Sequence, residues 1–461
     1  MDISKLRSLA TKYTGRVPRY TSYPTAVEFS NSFSRSDWEA VLKEDTDNNR
    51  ESLSLYLHIP FCKTLCYFCA CNKEISRSHE VCGPYLNAVE KELDYYHRLL
   101  PGNLEIQQIH WGGGTPNFLS TEDSSRVFSL CQKAFPNISI DSDISIELDP
   151  RTCTREQIQN YCSLGFNRVS LGVQDFNPEV QELVNRIQSF EQTSNLCQWS
   201  RNSGITSINI DLIYGLPNQT IDGFLTTLEQ IAVIRPERIA LFGYAHVTWL
   251  KKVQRALERA HLPTAEERLE LFFAAVSFLT QCGYEHIGLD HFALPEDNLA
   301  VSARAGTLRR NFMGYSAHCG SRVLGIGPSA ISSTIGAFAQ NIRGVADYQN
   351  AIDTNGLAIE RGMKRNREDQ LRAYVIESLL CQSKVDFSEF ETTWGEEFFL
   401  HFPAARQQLF NFAEDGLIEF GQTYFNLTTA GRFFSRSVAS IFDEYFGKYS
   451  STATTTFSQA V

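Results

Sequence analysis

Cys62, Cys66 and Cys69 stand in the run HIPFCKTLCYFCACNKEI with CxxxCxxC spacing. Thiolates are soft ligands that suit iron–sulfur clusters and zinc. Three of them on one short loop hold three irons of a [4Fe–4S] cube and leave the fourth iron open, much as a catalytic zinc keeps one position free. An open iron can chelate the amino and carboxylate groups of S-adenosylmethionine (SAM). One electron from the cluster then splits the sulfonium bond and yields a 5′-deoxyadenosyl radical, while the protein positions and shields the cofactor. The competing reading is a zinc site or structural cysteines. Zinc usually draws paired ligands from two places in a chain, and this chain has one tight group and no second CxxC. Cys71 is a further candidate thiol. Ligation by Cys71 would close the open iron, so it reads as a bystander held nearby.

Other chemistry-bearing residues fall at the ends of apolar runs. His110 opens HWGGGTP, in which Gly113, Gly114 and Thr115 follow a strand-like segment. Consecutive glycines let backbone approach a ligand and expose N–H groups; a plain tight turn is the alternative. Glu147 in ISIELDPR can take a hydrogen bond from a SAM ammonium or ribose, or pair with Arg151. Gln174 and Asp175 close SLGVQDF, and Asp211 lies inside the apolar run NIDLIYGLP. A buried charge there needs a partner, for which an arginine is the simple candidate. Arg186 reads as a helix residue, otherwise typical of a surface.

The elements that must hold these groups are legible. Apolar runs at 53–59, 106–111, 144–148, 168–173, 208–214 and 238–244 alternate with helical periodicity at 85–100, 121–135, 155–164, 188–203 and 220–234. Such alternation predicts a parallel sheet with covering helices. With candidate ligands after the strands, it predicts a partial (β/α)6 barrel whose active groups lie at the carboxyl ends. Beyond residue 360 the texture becomes mostly helical, at 367–381, 387–398, 404–416 and 430–446, with a hairpin at 418–426 around Gln422. The expected division is an N-terminal lid segment over 1–50, a barrel core over 51–290, a barrel-closing and substrate-site segment over 291–360, a small mostly helical domain over 361–450, and a disordered tail over 451–461.

Composition narrows the class. Among 461 residues, 43% are hydrophobic and 21% charged, which fits a globular chain, and the net charge of −11 argues against nucleic-acid binding. No apolar run reaches the roughly 20 residues that span a bilayer, and the N-terminus lacks the apolar core of a signal peptide. The eight cysteines outside the 62–71 group are scattered without framework spacing. That pattern predicts reduced thiols and a cytoplasmic protein. Nothing in the chain suggests an obligate partner, so a monomer is expected.

Taken in order, RYTSYPTA, HIPFCKTLCYFCACNK, HWGGGTP, ISIELDPR, GVQDFN, NIDLIYGLP, GLDHFA and GIGPSAIS resemble the oxygen-independent coproporphyrinogen III oxidases, within the radical SAM enzymes. The likeness runs from about residue 15 to 445. It implies a radical SAM barrel with an N-terminal lid and a helical C-terminal domain. It also implies oxidative decarboxylation of two propionates of coproporphyrinogen III to the vinyl groups of protoporphyrinogen IX, a step of porphyrin and haem biosynthesis. The cofactors implied are a [4Fe–4S] cluster on Cys62, Cys66 and Cys69 and two molecules of SAM. By the same likeness, Tyr56, Gly113, Glu147 and Ile331 attend the cluster-bound SAM. Phe68, Gly114, Thr115, Gln174, Arg186, Asp211 and Ala245 attend the second, and Cys71 is an extra, non-ligating cysteine. An electron donor such as flavodoxin or ferredoxin is the implied partner.

Three positions depart from the family pattern. Ala70 replaces a glycine, which requires negative φ or strain. Ile187 replaces a glutamate in NRIQ. Met313 replaces a glutamine in RNFMGYSA, exchanging an amide at a catalytic position for an apolar thioether. Substrate carboxylates need arginines such as Arg19. A paralogue acting on another tetrapyrrole, and a haem-binding chaperone without turnover, are the alternatives.

Overall fold

The computed structural model describes residues 3–13, 15, 17–47 and 52–446; the predicted tail at 451–461 lies outside them. The chain forms two compact units. The larger comprises Phe29–Tyr284 and His318–Lys364, the smaller Met1–Glu28, Glu285–Ala317 and Arg365–Val461.

Six parallel strands build the larger unit: β1 (Ser52–Ile59), β2 (Glu105–Gly113), β3 (Ile138–Leu148), β4 (Arg168–Gln174), β5 (Ser207–Tyr214) and β6 (Arg238–Gly243). They pair in chain order with parallel register. Leu53, Leu55, Leu57 and Ile59 of β1 are fully buried, as are Ile208, Ile210 and Leu212 of β5. Strands covered on both faces carry such near-continuous apolar runs. The crossovers are the predicted helices, Cys82–Leu99, Thr121–Ala134, Arg155–Ser163, Phe190–Ser203 and Ile221–Ile234. Ser120, Thr154, Ser189 and Thr220 cap four of them by accepting from backbone N–H groups of the first turn. The helix expected from 188 starts at Phe190, because Ser189 and Gln192 form a capping box.

Segment 318–364 extends the sheet beyond β1. There β7 (Arg322–Ile326) runs parallel to β1, and β8 (Ile331–Ser333), β9 (Ala337–Asn341) and β10 (Ile359–Lys364) follow in antiparallel order. Glu92 fastens this extension from within. Its carboxylate accepts from Gly327 N (2.9 Å), Asn341 Nδ2 (2.7 Å) and Tyr348 Oη (2.6 Å), while burial pushes its pKa up to about 7.

The smaller unit is mostly helical in its C-terminal part. Arg367–Gln382, Phe387–Trp394, Phe398–His401 and Ala405–Glu414 are helices. The expected hairpin, Ile418–Phe420 with Tyr424–Leu427, gains an unforeseen third strand at Lys384–Asp386. The helix expected over 387–398 is split after Trp394, where Gly395 turns left-handed at φ 71°. The helix expected over 430–446 is also broken, into a 3-10 turn at Gly431–Phe434, one short α-helix at Ser435–Ala439 and another 3-10 turn at Ser440–Phe442. Gly431 packs so closely that a Cβ there would meet Leu417 O at 1.8 Å. Arg436 turns inward to the carbonyls of Val17 and Pro18. A straight amphipathic helix would expose one face of this segment; instead Phe433–Ala439 is buried throughout, and Arg432 is exposed.

Candidate active site

The three cysteines follow β1 directly, and their loop is held by groups far away in sequence. Asn185 Nδ2 donates to Leu65 O (2.7 Å), Tyr67 N to Val184 O (3.0 Å), Gln254 Nε2 to Phe68 O (2.9 Å) and Lys73 Nζ to Cys69 O (3.2 Å). His58 Nε2 meets Asn72 O at 2.9 Å. Tyr67 and Phe68 pack on Val180, Val184, Leu216, Tyr244 and Leu257, the apolar cover their position between the thiols predicts. Ala70 does not adopt positive φ, so its methyl group fits without backbone strain.

The glycine turn ends β2 against this loop. Cβ atoms on Gly113 (φ 113°) and Gly114 would come within 2.8 Å of His58 Cε1 and of the Pro60 and Phe61 carbonyls. The glycines therefore admit the cysteine loop as well as any ligand. On Gly112 a Cβ would meet the Glu147 carboxylate at 3.0 Å.

Cys62, Cys66, Cys69, Phe68, Gly113, Gly114, Thr115, Glu147, Gln174, Arg186 and Asp211 all line one open cavity. Tyr56 lies beside it, stacked on His110 at 6.0 Å with its hydroxyl 3.0 Å from His58 Nδ1. Ala245 and Ile331 do not line the cavity. The Ala245 carbonyl shares the Gln254 amide with Phe68, and Ile331 belongs to β8. Met313 lies in the smaller unit, on the turn joining strands Arg309–Asn311 and Gly314–Ser316, with its N–H on Asn311 Oδ1 at 2.8 Å. Arg19, in the same unit, is ion-paired with Asp290.

The carboxylates differ from the simplest expectation. Glu147 does not pair with Arg151. It accepts from His110 Nε2 and Gly113 N, both at 3.3 Å. Burial raises its carboxyl, and these donors more than offset that, so the net shift is downward. Asp211 meets no arginine: Asn209 Nδ2 (2.7 Å) and Ser170 Oγ (3.3 Å) donate to it. Burial, then the charge of Glu147, pushes it up to about 7. Arg186 is neither on a helix nor exposed. It sits on the turn between helices Pro178–Leu183 and Phe190–Ser203, 8% exposed, and donates to Gly172 O. Ile187 beside it is 68% exposed, so the missing glutamate faces away from this arginine's partners. Gln174 is held at φ 72°, a conformation that costs a non-glycine residue roughly 1–3 kcal/mol.

Sequence reasoning missed Asp149 and Lys73 as cavity-lining groups, and Arg151 pairs with Asp149, not with Glu147 as the alternative reading had it. Arg151 clasps Asp149 through Nε and Nη2 at 2.6–3.2 Å, and Nη2 also reaches Cys66 Sγ at 3.5 Å. The one available signal was the pair's spacing in ELDPR, two residues apart on a turn. Burial pushes the Cys62 thiol up to about 11. A hydrogen bond from Cys71, and then Lys73, holds Cys69 down and leaves the proton on Cys71.

This donor set fits an iron–sulfur cluster better than a single ion. Among the described residues no three His, Cys, Asp or Glu side chains converge on one ion position; a cube gives each thiolate its own iron. Arg186 Nε is buried without a hydrogen-bond partner, so the cavity wall is polar where an anionic group would lie.

A parallel α/β barrel with three thiols after its first strand is the arrangement of radical SAM enzymes, and residues 56–231 match the Radical SAM superfamily. Residues 366–434 match the HemN C-terminal domain. The chain is 42% identical to the oxygen-independent coproporphyrinogen III oxidase of Escherichia coli K12 over 438 residues, 95% of each chain. It is 40% identical to those of Helicobacter pylori J99, over 94% of this chain and 95% of that one, and of Synechocystis, over 95% and 94%. The solved structure of E. coli coproporphyrinogen III oxidase (HemN), described as a radical SAM enzyme, superposes with a TM-score of 0.89 at 41% identity over 93% of this chain and 97% of that one. The chain belongs to the oxygen-independent coproporphyrinogen III oxidase family.

Proposed function

We propose that the chain carries out oxygen-independent oxidative decarboxylation of two propionates of coproporphyrinogen III, giving the vinyl groups of protoporphyrinogen IX. The observation that carries this reading is end-to-end likeness at 40–42% identity to enzymes of that name. The cysteine loop, glycine turn, Glu147 and Asp211 meet in one cavity, as such an enzyme requires. A bound cluster and SAM would supply one-electron cleavage of the sulfonium bond and hydrogen abstraction from the propionate, which then loses CO2 and a second electron to an external acceptor.

The chain's own residues bind and orient. Cys62, Cys66 and Cys69 hold the cluster, and Cys71 keeps its proton beside Cys69. Glu147, charged by the donors on it, would receive the ammonium of the first SAM near Gly113 and Tyr56. Asp211, Arg186, Gln174, Thr115, Gly114 and Phe68 would attend a second SAM; the same roles for Ile331 and Ala245, which stand outside the cavity lining, rest on the family likeness alone. Phe68 and the apolar cluster under it exclude water. Met313 takes part at the substrate, and Arg19 engages one of its carboxylates. No helix among the described residues is long and apolar enough to cross a membrane. The working form is a cytoplasmic monomer supplied by a one-electron donor of the flavodoxin or ferredoxin class.

The test is anaerobic incubation of the reconstituted protein with SAM, reductant and coproporphyrinogen III. Vinyl product with 5′-deoxyadenosine is expected. Stoichiometric haem binding without 5′-deoxyadenosine, or a differently modified tetrapyrrole, would overturn the reading.

A further inference from the structure

Cys66 has two guanidiniums at its sulfur, where Cys69 has Cys71 and Lys73. Arg151 Nη2 and Arg186 Nη1 both donate to Cys66 Sγ, each at 3.5 Å. Cys62 has only the hydroxyl of Thr115, at 3.6 Å. Asp149 lies between the guanidiniums, clasped by Arg151 and 3.5 Å from Arg186. Asp149 is fixed in turn, its N–H on Asn117 Oδ1 at 2.8 Å. The side chains of Arg151, Arg186 and Asp149 are 14%, 9% and 9% exposed, so water screens them little. Two positive charges and one negative charge leave a net positive charge against one sulfur.

Reduction adds negative charge to an iron–sulfur cluster, much of it spread over the sulfurs. Hydrogen bonds and positive charge at a ligating sulfur stabilise the reduced form and raise the potential. We propose that Arg151, held in place by Asp149, tunes the cluster by hydrogen-bonding Cys66 Sγ, favouring its reduced, electron-donating form. Arg151 is a positioning and tuning residue, acting through Cys66. The inference rests on Cys66 being a cluster ligand.

The two members of the pair have opposite charges, so their removal must shift the potential in opposite directions. A purely structural role would not produce that signature. The experiment is a potentiometric titration of the reconstituted protein without SAM, followed by the EPR signal of the reduced cluster, with iron counted in each sample. Arg151→Met should lower the reduced-to-oxidised ratio at fixed potential by about tenfold, a shift of about 59 mV to more negative values for one electron. Asp149→Asn keeps an amide oxygen to accept from Arg151 and removes only the offsetting negative charge, so it should shift the ratio the other way, and Arg151→Lys should stay within about threefold of the parent. If Arg151→Met loses its iron, Asp149→Asn, which keeps every thiol and both arginines, decides alone. Shifts in the same direction, or no upward shift for Asp149→Asn, overturn the inference while the parent still holds its cluster. A parent without a cluster, or a Cys66→Ser protein that keeps it, overturns the ligand assignment itself.

Discussion

Glu147 on β3 and Asp211 on β5 line the same cavity, yet they hold their protons in opposite senses. Exposure contributes, since the Glu147 side chain is 44% exposed, and the donors add to it. Glu147 faces an imidazole that can carry charge, together with a backbone N–H. Asp211 has only an amide and a hydroxyl, and Glu147 repels it. One carboxylate is charged in advance; the other becomes comfortably charged only when a cation arrives. SAM is such a cation, through its sulfonium and its ammonium.

The largest effect should remove the ground on which both carboxylates act. Replacing Cys62, Cys66 or Cys69 with serine should abolish the cluster and all SAM cleavage, whereas Cys71→Ser should keep about four irons per chain. Iron and sulfide analysis, with the cluster's visible absorbance, checks this; equal loss in all four variants would rule out three-thiolate ligation. Next comes Glu147→Ala, which removes a pre-charged group. Reductive cleavage of SAM should fall by about a hundredfold, since a hydrogen bond to a charged group is worth roughly 1.5–3 kcal/mol. Asp211→Ala should instead lower bound SAM from two toward one while cleavage persists. Counting labelled SAM on anaerobic protein separates the two cases, and a parent that binds only one SAM would break the contrast.

A titration sharpens the same comparison. Asp211 folded keeps its proton up to about pH 7 but loses it near 4 when unfolded. The folded state therefore binds more protons in that window, and stability of the cofactor-free protein should fall as pH rises from about 4 to 7. Glu92, raised for the same cause, adds to the slope. Asp211→Asn should flatten it, with a ceiling of roughly 4 kcal/mol, measurable by urea denaturation across the window. Glu147 works the other way: its lowered carboxyl contributes stability above about pH 4.5, lost as the pH falls through its folded value. The smallest effect is expected from Met313→Gln, which should raise protoporphyrinogen formed per 5′-deoxyadenosine by up to about tenfold. Iron content and SAM count should not change. A variant no better than the parent would exclude an amide at 313 as the missing element.

Strand and helix order in the barrel was legible because each run carries one clear period and most helices begin at a Ser or Thr. The places of Cys62, Gly113 and Glu147 followed from strand ends, and that of Asp211 from a carboxylate inside an apolar strand. What the chain did not reveal depends on contacts between distant residues. Arg151 looks available to Glu147 in ELDPR but turns to Asp149, and Cys66 meets it from 85 positions away. Arg186 was read as surface because nothing local marks a guanidinium folded back onto Gly172. The segment 430–446 holds no proline and reads as one helix. Close packing of Gly431 and the inward turn of Arg436 break it.

The ties across the cysteine loop also bear on how the protein acquires its iron. Asn185, Val184, Gln254 and His58 hold the loop's backbone through groups that need no metal. A zinc finger folds only as its metal binds, so its binding energy is spent on ordering the chain. Here part of the loop's order comes from contacts that need no iron, so the cysteine-to-serine variants should stay folded when they lose the cluster.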